Sequence, residues 1–514
     1  MQLRHLKSGT DVRGTAVNPE NPENPEKIDL TDEAVRRITG AFVRFLEVQT
    51  AKQAGDIKLS VGHDSRVSAE RIKAAVLKEL TACGVQILDC ALCSTPAMFM
   101  TTQTEGCDGA VQITASHHPW DRNGLKFFTR AGGLSGKELE RILEDAETAP
   151  PHTGEEIRAE KIDYLSKYCE QLKDLIRKGV NSPENFDKPL TGLKIVVDAG
   201  NGVGGFYAEK VLSPLGADTA GSRYLDPDGT FPNHVPNPEN AAAMASIREA
   251  TLSSGADLGV IFDTDVDRGG AVTADGEELN RNRLVAVAAA IALEDTPGGA
   301  VVTDSVTSAG LTKFINEHLG GKHIRFKRGY KNVIDEAVRR CALGEETPLA
   351  IETSGHAAFR ENYFLDDGAY LVTRMIIKLC LLKRTGGDLG SLIQDLEEPA
   401  EEKEIRLKIT APDFKAYGGE MIALVNDAAE HIDGVRIADD SYEGTKIIFD
   451  APDINGFFIF RLSVHDPIIP VNFEAAVSGG VSKMAKVLSA WLAETKGLDL
   501  TPFTQFSDEF KKGY

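Results

Sequence analysis

A recurring strand-to-helix pattern constrains the fold of this 514-residue chain more than any other feature. The apolar stretch KLSVGHD, residues 58–64, predicts a strand, and a helix-like stretch over 68–84 and a second strand over 85–92 follow it. Similar transitions begin near Leu193 and near Gly299. Strands and helices that alternate in this way predict α/β units, in which helices cover a largely parallel sheet. We therefore expect three related α/β domains.

The last part of the chain follows a different pattern. A helix-like stretch over 412–432 precedes three strand-like stretches, TKIIFD, GFFIFRLS and IIPVNFEA. This arrangement predicts a smaller α+β domain. Charged joins and joins rich in glycine and proline place the boundaries between the domains. The predicted domains cover residues 1–190, 191–297, 298–402 and 403–514.

Composition and charge narrow the function class. The chain has 57 Lys and Arg residues and 78 Asp and Glu residues, so its net charge is −21. Such a chain is a poor partner for nucleic acid or an anionic membrane, although a local basic cluster can still bind a small anion. No stretch approaches the ~20 apolar residues of a membrane helix, and the first residues lack the apolar core of a signal peptide. The seven scattered cysteines suggest neither a zinc site nor a disulfide framework, so a cytoplasmic protein is expected.

The strongest chemical motif is ADLGVIFDTDVDRGG, residues 256–270. An apolar strand ends here and delivers Asp263, Asp265 and Asp267, whose alternate positions share one strand face. Mg²⁺ is a hard cation that prefers such oxygen ligands. An EF-hand is excluded, because Arg268 stands where that loop needs glycine and Ala274 where it needs glutamate. The motif therefore predicts a magnesium site, with a solvated acidic turn as the alternative.

A serine follows another predicted strand. Ser116 lies in TASHHPWDRNGLKFF, residues 114–128, directly after the apolar run 110–113. Strand ends are where α/β proteins build their sites. A nearby Mg²⁺ would polarise a phosphoryl oxygen, and Lys126 could act as an acid, a base or a partner for an anion. Taken alone, the motif is explained better by a serine that caps a turn.

Two later loops carry side chains that suit polyol hydroxyls in one case and a phosphate group in the other. AIETSGHAAF, residues 350–359, combines an acid, a hydroxyl and an imidazole, which suits polyol hydroxyls. FFIFRLSVHDPIIP, residues 457–470, combines an arginine with hydroxyl and backbone donors, which suits a phosphate. Each could also be an ordinary loop. The residues concerned are Glu352, Ser354 and His356 in the first loop and Arg461, Ser463 and His465 in the second.

Three weaker signals complete the set. SGTDVRG contains Arg13 and FKRGYKNV contains Lys331, and each could be a solvated basic turn. Gly200, Gly202 and Gly205 match the spacing of a dinucleotide-binding loop. The same glycines would serve any tight strand-to-helix turn, which is the expected explanation.

Together, these motifs resemble those of the α-D-phosphohexomutase family, and most closely its phosphomannomutase/phosphoglucomutase branch. TASHHP is similar to the family's TASHNP phosphoserine loop, and DTDVDR to its DGDADR metal loop. ETSGH resembles the sugar-binding GEMSGH loop, and RLSVHDP the RPSGTEP phosphate loop. SGTDVRG, GHDSR and PDGTFPNHVPNPE resemble further landmarks, and all occur in the family order from about residue 8 to 476.

The resemblance implies a heart-shaped enzyme of four domains around a central cleft, which moves phosphate between O1 and O6 of mannose or glucose. It implies a phosphoserine, Mg²⁺ as cofactor, and a hexose 1,6-bisphosphate as intermediate and activator. The partners are small sugar phosphates, and the chain is expected to be a monomer or a homodimer. In this family, the implied catalytic residues are Ser116, Lys126, His356, Arg13 and Arg268; the metal ligands are Ser116, Asp263, Asp265 and Asp267; and the substrate ligands are Glu352, Thr353, Ser354, His356, Lys331, Arg461, Ser463 and His465.

The chain departs from the family pattern at several positions. His118 replaces an asparagine beside the serine loop, and Thr353 replaces a methionine in the sugar loop. The phosphate loop departs most, at Val464, His465 and Asp466. Valine offers no side-chain donor and tolerates a positive φ badly. This loop is therefore expected to bind phosphate differently from the usual loop of the family.

Two rival functions follow from the same residues. VIFDTDVD also resembles the nucleophile motif of haloacid-dehalogenase phosphatases, with Asp263 as nucleophile and Asp366 and Asp367 as metal acids. The altered phosphate loop would also fit a non-catalytic protein that binds sugar phosphates.

Overall fold

The protein is described by a computed structural model that covers residues 1–20, 27–154, 156–463 and 466–504. The chain forms two compact units, and it passes three times between them. The first unit comprises Met1–Asp295 and Pro348–Gln394, and the second comprises Thr296–Thr347 and Asp395–Tyr514.

The first unit begins with an α/β domain on an eight-stranded mixed sheet. The strand order is β1-β2-β6-β5-β3-β4-β8, and β7 pairs with β6. The strands β5, β3, β4 and β8 are parallel, whereas β6 is antiparallel to its neighbours β5 and β2. The carboxyl ends of β3 and β5 therefore lie at the same edge of the sheet, where sites are built. The strands are β1 (Lys7–Ser8), β2 (Asp11–Thr15), β3 (Lys58–His63), β4 (Gln86–Leu92), β5 (Gly109–Ile113), β6 (Arg122–Thr129), β7 (Gly132–Gly133) and β8 (Glu160–Lys161).

Amphipathic helices cover this sheet. The first of them begins after Thr31, whose side chain accepts a hydrogen bond from the Ala34 backbone N–H at 3.2 Å. Apolar side chains at helical spacing, including Val35, Ile38 and Phe42, are fully buried in the domain core, as their periodicity predicts. The helices are α1 (Asp32–Thr50), α2 (Ala69–Ala82), α3 (Thr95–Thr104), α4 (Gly136–Thr148) and α5 (Tyr164–Val180), and short 3₁₀ helices lie at Arg4–Leu6 and Ala54–Asp56.

A second α/β domain follows in the same unit. Its four strands lie in the order β12-β11-β10-β9, with β9 and β10 parallel. The helix expected after β9 is instead a π-helical turn, Tyr207–Leu212, followed by the 3₁₀ helix Ser213–Leu215. The elements are β9 (Ile195–Asp198), α6 (Ala241–Ser254), β10 (Leu258–Phe262), β11 (Gly269–Thr273), β12 (Glu278–Leu279) and α7 (Arg281–Asp295).

The glycines after β9 have a packing role. A Cβ on Gly202 would lie 2.6 Å from the Thr264 carbonyl oxygen, and one on Gly205 would lie 2.1 Å from that of Leu225. The Val203 N–H donates to the Thr264 carbonyl oxygen at 2.8 Å. Gly202 therefore brings this turn against the loop that carries the three aspartates, and Gly205 lets the turn pack against the backbone at Leu225.

The third stretch of the chain contributes to both units. In the second unit, β13 and β14 are parallel. In the chain, α8 follows β13 and α9 follows β14. In the first unit, β15, β16 and β17 form an antiparallel meander that leads into α10. The elements are β13 (Ala300–Asp304), α8 (Ala309–Lys313), the π-helical turn Phe314–His318, β14 (Lys322–Phe326), α9 (Tyr330–Ala342), β15 (Leu349–Ile351), β16 (Ala357–Phe359), the 3₁₀ helix Arg360–Asn362, β17 (Leu365–Asp366), α10 (Gly368–Lys383) and the 3₁₀ helix Gly390–Leu392.

The second unit ends in an antiparallel sheet of five strands, ordered β18-β22-β21-β20-β19, with two helices. The predicted α+β domain and its three strands are confirmed. The predicted boundary between residues 402 and 403 lies within a strand, Glu401–Lys408, at the edge of this sheet. The elements are β18 (Glu401–Lys408), α11 (Phe414–Glu430), β19 (Val435–Ile437), β20 (Thr445–Phe449), β21 (Gly456–Phe460), β22 (Ile468–Ala475) and α12 (Gly480–Leu492).

The observed architecture confirms three α/β domains and a β-rich C-terminal domain. Within the described residues, no helix combines the length and the apolar character that crossing a membrane would need.

Candidate active site

Ser116 lies in the loop that follows β5 and is only 1% exposed. Its φ is +52°, in the left-handed region that residues other than glycine rarely adopt. Its backbone N–H donates to Thr114 Oγ1 at 2.9 Å. Such a conformation persists only where the surroundings impose it, and it is typical of functional sites.

Arg66 accounts for the shape of this loop. Its buried guanidinium lies 3.2 Å from an Asp64 oxygen, which also accepts a hydrogen bond from Thr114 Oγ1 at 2.7 Å. The remaining guanidinium N–H groups donate hydrogen bonds to four backbone carbonyl oxygens, in the loop and at the start of β6. These are the carbonyls of Ser116, His118 (2.6 Å), Pro119 (2.6 Å) and Arg122 (2.9 Å).

Three aspartates converge directly after β10. Asp263, Asp265 and Asp267 are at most 2% exposed, and each offers a carboxylate oxygen within 4.8 Å of the others. Val266 has a φ of +66°, which bends the chain between them. The Arg268 backbone N–H donates to Asp263 Oδ1 at 3.2 Å. The predicted convergence at the strand end is therefore present.

The serine loop and the aspartate loop meet. Ser116 Oγ donates a hydrogen bond to Asp263 Oδ2 at 3.0 Å. Lys126, on β6, is 4% exposed, and its ammonium group donates to Asp265 Oδ2 at 3.0 Å and to Asp267 Oδ2. The hydroxyl, the ammonium group and the three carboxylates thus form one buried cluster.

The charges of this cluster indicate a place for a cation. Burial, and then the neighbouring Asp267 and Asp265, raise the pKa of Asp263. Burial also acts to raise the pKa of Asp267, but the charges of Lys126, His356 and Arg268 outweigh it, so the pKa of Asp267 is lowered. Among the described residues, the buried Oδ1 atoms of Asp265 and Asp267 have no hydrogen-bond partner. Oxygens of this kind fit a hard divalent cation.

The loop between β15 and β16 lies against the aspartate loop. Arg268 and His356 form an isolated β-bridge, and Arg268 Nε donates to His356 Nε2 at 2.8 Å. The other ring nitrogen of His356 lies 2.6 Å from an Asp366 oxygen and 3.8 Å from an Asp267 oxygen. His356 therefore lies beside both the arginine and the carboxylate cluster.

The same loop presents polar groups suited to hydroxyl recognition. Glu352, Thr353 and Ser354 are 5–7% exposed, and Ser354 Oγ has no hydrogen-bond partner within the described part of the chain. Arg13, on β2, approaches the serine loop from the other side and donates to the Ala115 carbonyl oxygen at 3.5 Å and to Asp11 at 3.1 Å. The first unit therefore brings together every predicted site residue that it contains.

The remaining predicted ligands belong to the second unit. Burial first, and then the charge of Arg328, lower the pKa of Arg461, and its buried Nε has no partner among the described residues. Ser463 Oγ accepts a hydrogen bond from the Asp466 backbone N–H at 3.3 Å. Lys331, near the start of α9, pairs with Asp335. His465 and Val464 lie outside the described residues.

The structure also reveals contributors that the sequence did not identify. Arg66 lies in GHDSR, which was noted only as a landmark. Thr95 Oγ1 donates to Asp265 Oδ2, and a Glu239 oxygen lies 3.6 Å from Arg268. Asp366, considered only as a metal acid of the rival phosphatase, is instead next to His356. Asp367, the other rival metal acid, accepts hydrogen bonds from Tyr168 and from the first turn of α10.

Comparison with known proteins agrees with this arrangement. Three family models match the chain, and they describe the α/β/α domains I, II and III of phosphoglucomutase/phosphomannomutase. The matched residues are 7–151, 166–276 and 280–399.

Individual relatives match over most of their length. The chain is 30% identical over 456 residues to a phosphomannomutase/phosphoglucomutase of Pseudomonas syringae pv. tomato, covering 87% of this chain and 89% of the relative. It is 28% identical over 470 residues to a phosphoglucomutase of Neisseria meningitidis, covering 91% and 95%. A crystal structure of a phosphoglucomutase/phosphomannomutase family protein from Burkholderia thailandensis superposes with a TM-score of 0.77 at 25% identity, covering 96% of this chain and 99% of that one.

Proposed function

Because the chain belongs to the phosphoglucomutase/phosphomannomutase family, it is a phosphohexomutase, and we propose that it interconverts the 1-phosphates and 6-phosphates of glucose and mannose. The observation that carries this proposal is the contact between Ser116 Oγ and Asp263 Oδ2 at 3.0 Å, within a buried cluster of three carboxylates. A serine in this position can exchange a phosphoryl group under the electrostatic control of the cluster. The rival phosphatase and the non-catalytic binder are not favoured by the comparisons.

Ser116 is the proposed phosphoryl carrier. It gives its phosphoryl group to one oxygen of the sugar and recovers a phosphoryl group from the other oxygen, so the sugar passes through a 1,6-bisphosphate. The fixed carbonyl contacts of Arg66 support this role, because they hold the serine in one orientation for both transfers. The same bisphosphate, added from solution, would phosphorylate a dephosphorylated enzyme and act as an activator.

Mg²⁺ is the proposed cofactor, held by Asp263, Asp265, Asp267 and an oxygen of the phosphoserine. The buried and unpartnered Oδ1 atoms of Asp265 and Asp267 support the fit, as does the all-oxygen donor set. When bound, the ion would polarise the phosphoryl group and offset its charge. Lys126 now donates to two of these carboxylates, and the ion would free its ammonium group to meet substrate.

Proton transfer is assigned to Lys126 and His356. Both are buried beside the carboxylate cluster, so either can reach the sugar oxygen that loses or gains a proton. Arg268 holds His356 through its Nε at 2.8 Å and, together with Arg13, supplies positive charge near the transferred group.

Substrate recognition is divided between the sugar and its non-reacting phosphate. Glu352, Thr353 and Ser354 are the proposed ligands of the sugar hydroxyls, supported by the buried Ser354 hydroxyl that lacks a partner within the described residues. The phosphate would be bound by Arg461, Ser463, His465 and Lys331. The lowered pKa of Arg461, caused by burial and by the charge of Arg328, favours an anion beside it.

The setting proposed for this activity is the cytoplasm, as a monomer or a homodimer. The seven cysteines are free thiols in the structure, which is consistent with a reducing compartment.

A coupled assay tests the proposal. Purified protein with Mg²⁺ would be given glucose 1-phosphate or mannose 1-phosphate, with and without the matching 1,6-bisphosphate, and the 6-phosphate measured. We expect turnover of at least one of the two sugars and stimulation by the bisphosphate. Release of inorganic phosphate in place of the 6-phosphate would support the phosphatase instead, and no turnover of either sugar would contradict the proposal.

A further inference from the structure

A second cluster of metal-ligating side chains lies on the first α/β domain, and the mutase chemistry leaves it without a role. Glu79 and Cys83 are four residues apart at the end of α2, so they share one helix face. His152 reaches them from the segment after α4. One ligand atom from each of the three residues lies within 4.8 Å of the other two.

Hydrogen bonds from His152 satisfy Glu79 Oε1, which also accepts the His152 backbone N–H at 2.9 Å, but they do not satisfy the Cys83 thiol. His152 Nδ1 lies 2.8 Å from Glu79 Oε1 and 3.4 Å from Cys83 Sγ. If Nδ1 carries a proton, it donates to the carboxylate and cannot accept one from the thiol. If Nδ1 is unprotonated, two electron-rich atoms, Nδ1 and Oε1, face each other without a hydrogen between them.

The geometry points to Zn²⁺, and we propose that Glu79, Cys83 and His152 form a zinc site. The ion takes nitrogen, sulfur and carboxylate ligands, and tetrahedral bonds of about 2.0–2.3 Å would separate these ligand atoms by about 3.4–3.6 Å. The observed separation of 3.4 Å between Nδ1 and Sγ agrees with that geometry, and the separation of 2.8 Å between Nδ1 and Oε1 is about 0.6 Å shorter, a difference that a shift of the exposed His152 ring can close. The fourth position is left for water, because the His152 side chain is 46% exposed.

The surroundings fix Glu79 as a ligand. Its side chain is 1% exposed, and Arg36 Nε donates to its second oxygen, Oε2, at 3.0 Å. That contact stabilises the buried carboxylate and leaves Oε1 to His152, whose backbone N–H donates to it at 2.9 Å and whose ring lies beside it. Gly40 on α1 provides the space, since a Cβ there would lie 2.9 Å from Oε1.

The proposed role of the ion is structural. It would join the end of α2 to the segment after α4, and its three protein ligands lie apart from the aspartates at the Ser116 loop. Loss of the ion should leave mutase turnover unchanged. Binding requires the Cys83 thiol to lose its proton, so affinity should rise with pH.

Cobalt substitution tests the site directly. Protein treated with chelator and returned to excess Mg²⁺, which occupies the carboxylate cluster, would be titrated with Co²⁺. We expect one equivalent to produce a thiolate-to-cobalt charge-transfer band in the near ultraviolet, and Zn²⁺ to remove it. Zn²⁺ should also raise the thermal midpoint by ~2–4 °C.

Variants separate this site from other thiols. Cys83→Ser should abolish the band, and His152→Asn should weaken Co²⁺ binding at least ~10-fold. Cys341→Ser is the matched control, because Cys341 is also a partly exposed thiol, and it should keep the band. Absence of the band in the wild-type protein, or its persistence in Cys83→Ser, would overturn the proposal.

Discussion

At the scale of single residues, the site depends on charges that are paired out of contact with water. Asp263, Asp265 and Asp267 are three buried carboxyl groups, and Lys126 and Arg268 supply two positive charges beside them. An unpaired buried charge is costly, so each of these groups needs its partners. A divalent cation would take the place of the Lys126 ammonium group beside the carboxylates and release Lys126 for chemistry.

Asp265→Asn tests the metal ligands at this scale. The substitution removes one anionic oxygen but keeps the shape of the side chain, so turnover at limiting Mg²⁺ should fall by about 10²-fold, while folding is retained. The measurement is turnover against Mg²⁺ concentration. Asp275→Asn is the control, because Asp275 lies in the exposed turn that follows β11. This variant should match the wild-type curve. An unchanged curve for Asp265→Asn would mean that the aspartates do not hold the ion.

Several site residues could be identified from the sequence, and others could not. Ser116 and the three aspartates stand out because each follows an apolar strand, and strand ends are where α/β proteins build their sites. Arg66 acts through carbonyl groups some 50 residues away, at Ser116 and His118. A backbone carbonyl carries no signature in the sequence, so this role became visible only in the structure.

At the scale of elements, hydrophobic patterning succeeded where most residues of a strand are apolar and buried. The apolar stretches of β21 and β22 were predicted as strands for this reason. The strand Glu401–Lys408 was missed because six of its eight residues are charged and only two are buried. It lies at the sheet edge, where charged side chains protect against pairing with other chains.

Asp367, the N-cap residue of α10, leads to a prediction about the pH dependence of stability. Asp367 is buried, and burial raises its pKa to about 6, against the hydrogen bonds that it accepts. The native state therefore binds more protons than the unfolded state between about pH 4 and 6, so stability falls as pH rises through this window and then levels off. The loss amounts to about 3 kcal/mol.

Asp367→Asn removes this titration and keeps an acceptor for the Tyr370 N–H, which Asp367 Oδ1 accepts at 2.8 Å. The thermal midpoint of the wild type minus that of Asp367→Asn should decrease between pH 4 and 7. Calorimetry of both proteins at the two pH values provides the measurement. An equal difference at both values would contradict a raised pKa for this carboxyl.

At the scale of the whole molecule, chain order does not follow the compact units. The third α/β stretch contributes β13 and β14 to the second unit and the meander from β15 to β17 to the first. The sequence pattern indicates where strands and helices alternate, but it does not indicate which of them pack together. The predicted boundaries at 190, 297 and 402 therefore remain predictions.

The proposed phosphate ligands of the second unit give a prediction at this scale. Arg461→Ala should raise the KM for the sugar phosphate about 10–100-fold, because a hydrogen-bonded charge would be lost from a buried site. Arg436→Ala is the matched control, since Arg436 is exposed and pairs only with Asp450 among the described residues. The measurement is initial rate against substrate concentration for both variants. An unchanged KM in Arg461→Ala would remove this loop from substrate binding.

The most direct test of the mutase mechanism is the intact mass of the protein during turnover. Wild-type protein incubated with Mg²⁺ and glucose 1,6-bisphosphate should gain one phosphoryl group, mapped to Ser116, and lose it again when excess glucose 6-phosphate is added. Ser116→Ala should gain none and should lose turnover by about 10³-fold or more. A phosphoryl group on Asp263 instead, or full turnover by Ser116→Ala, would contradict the account.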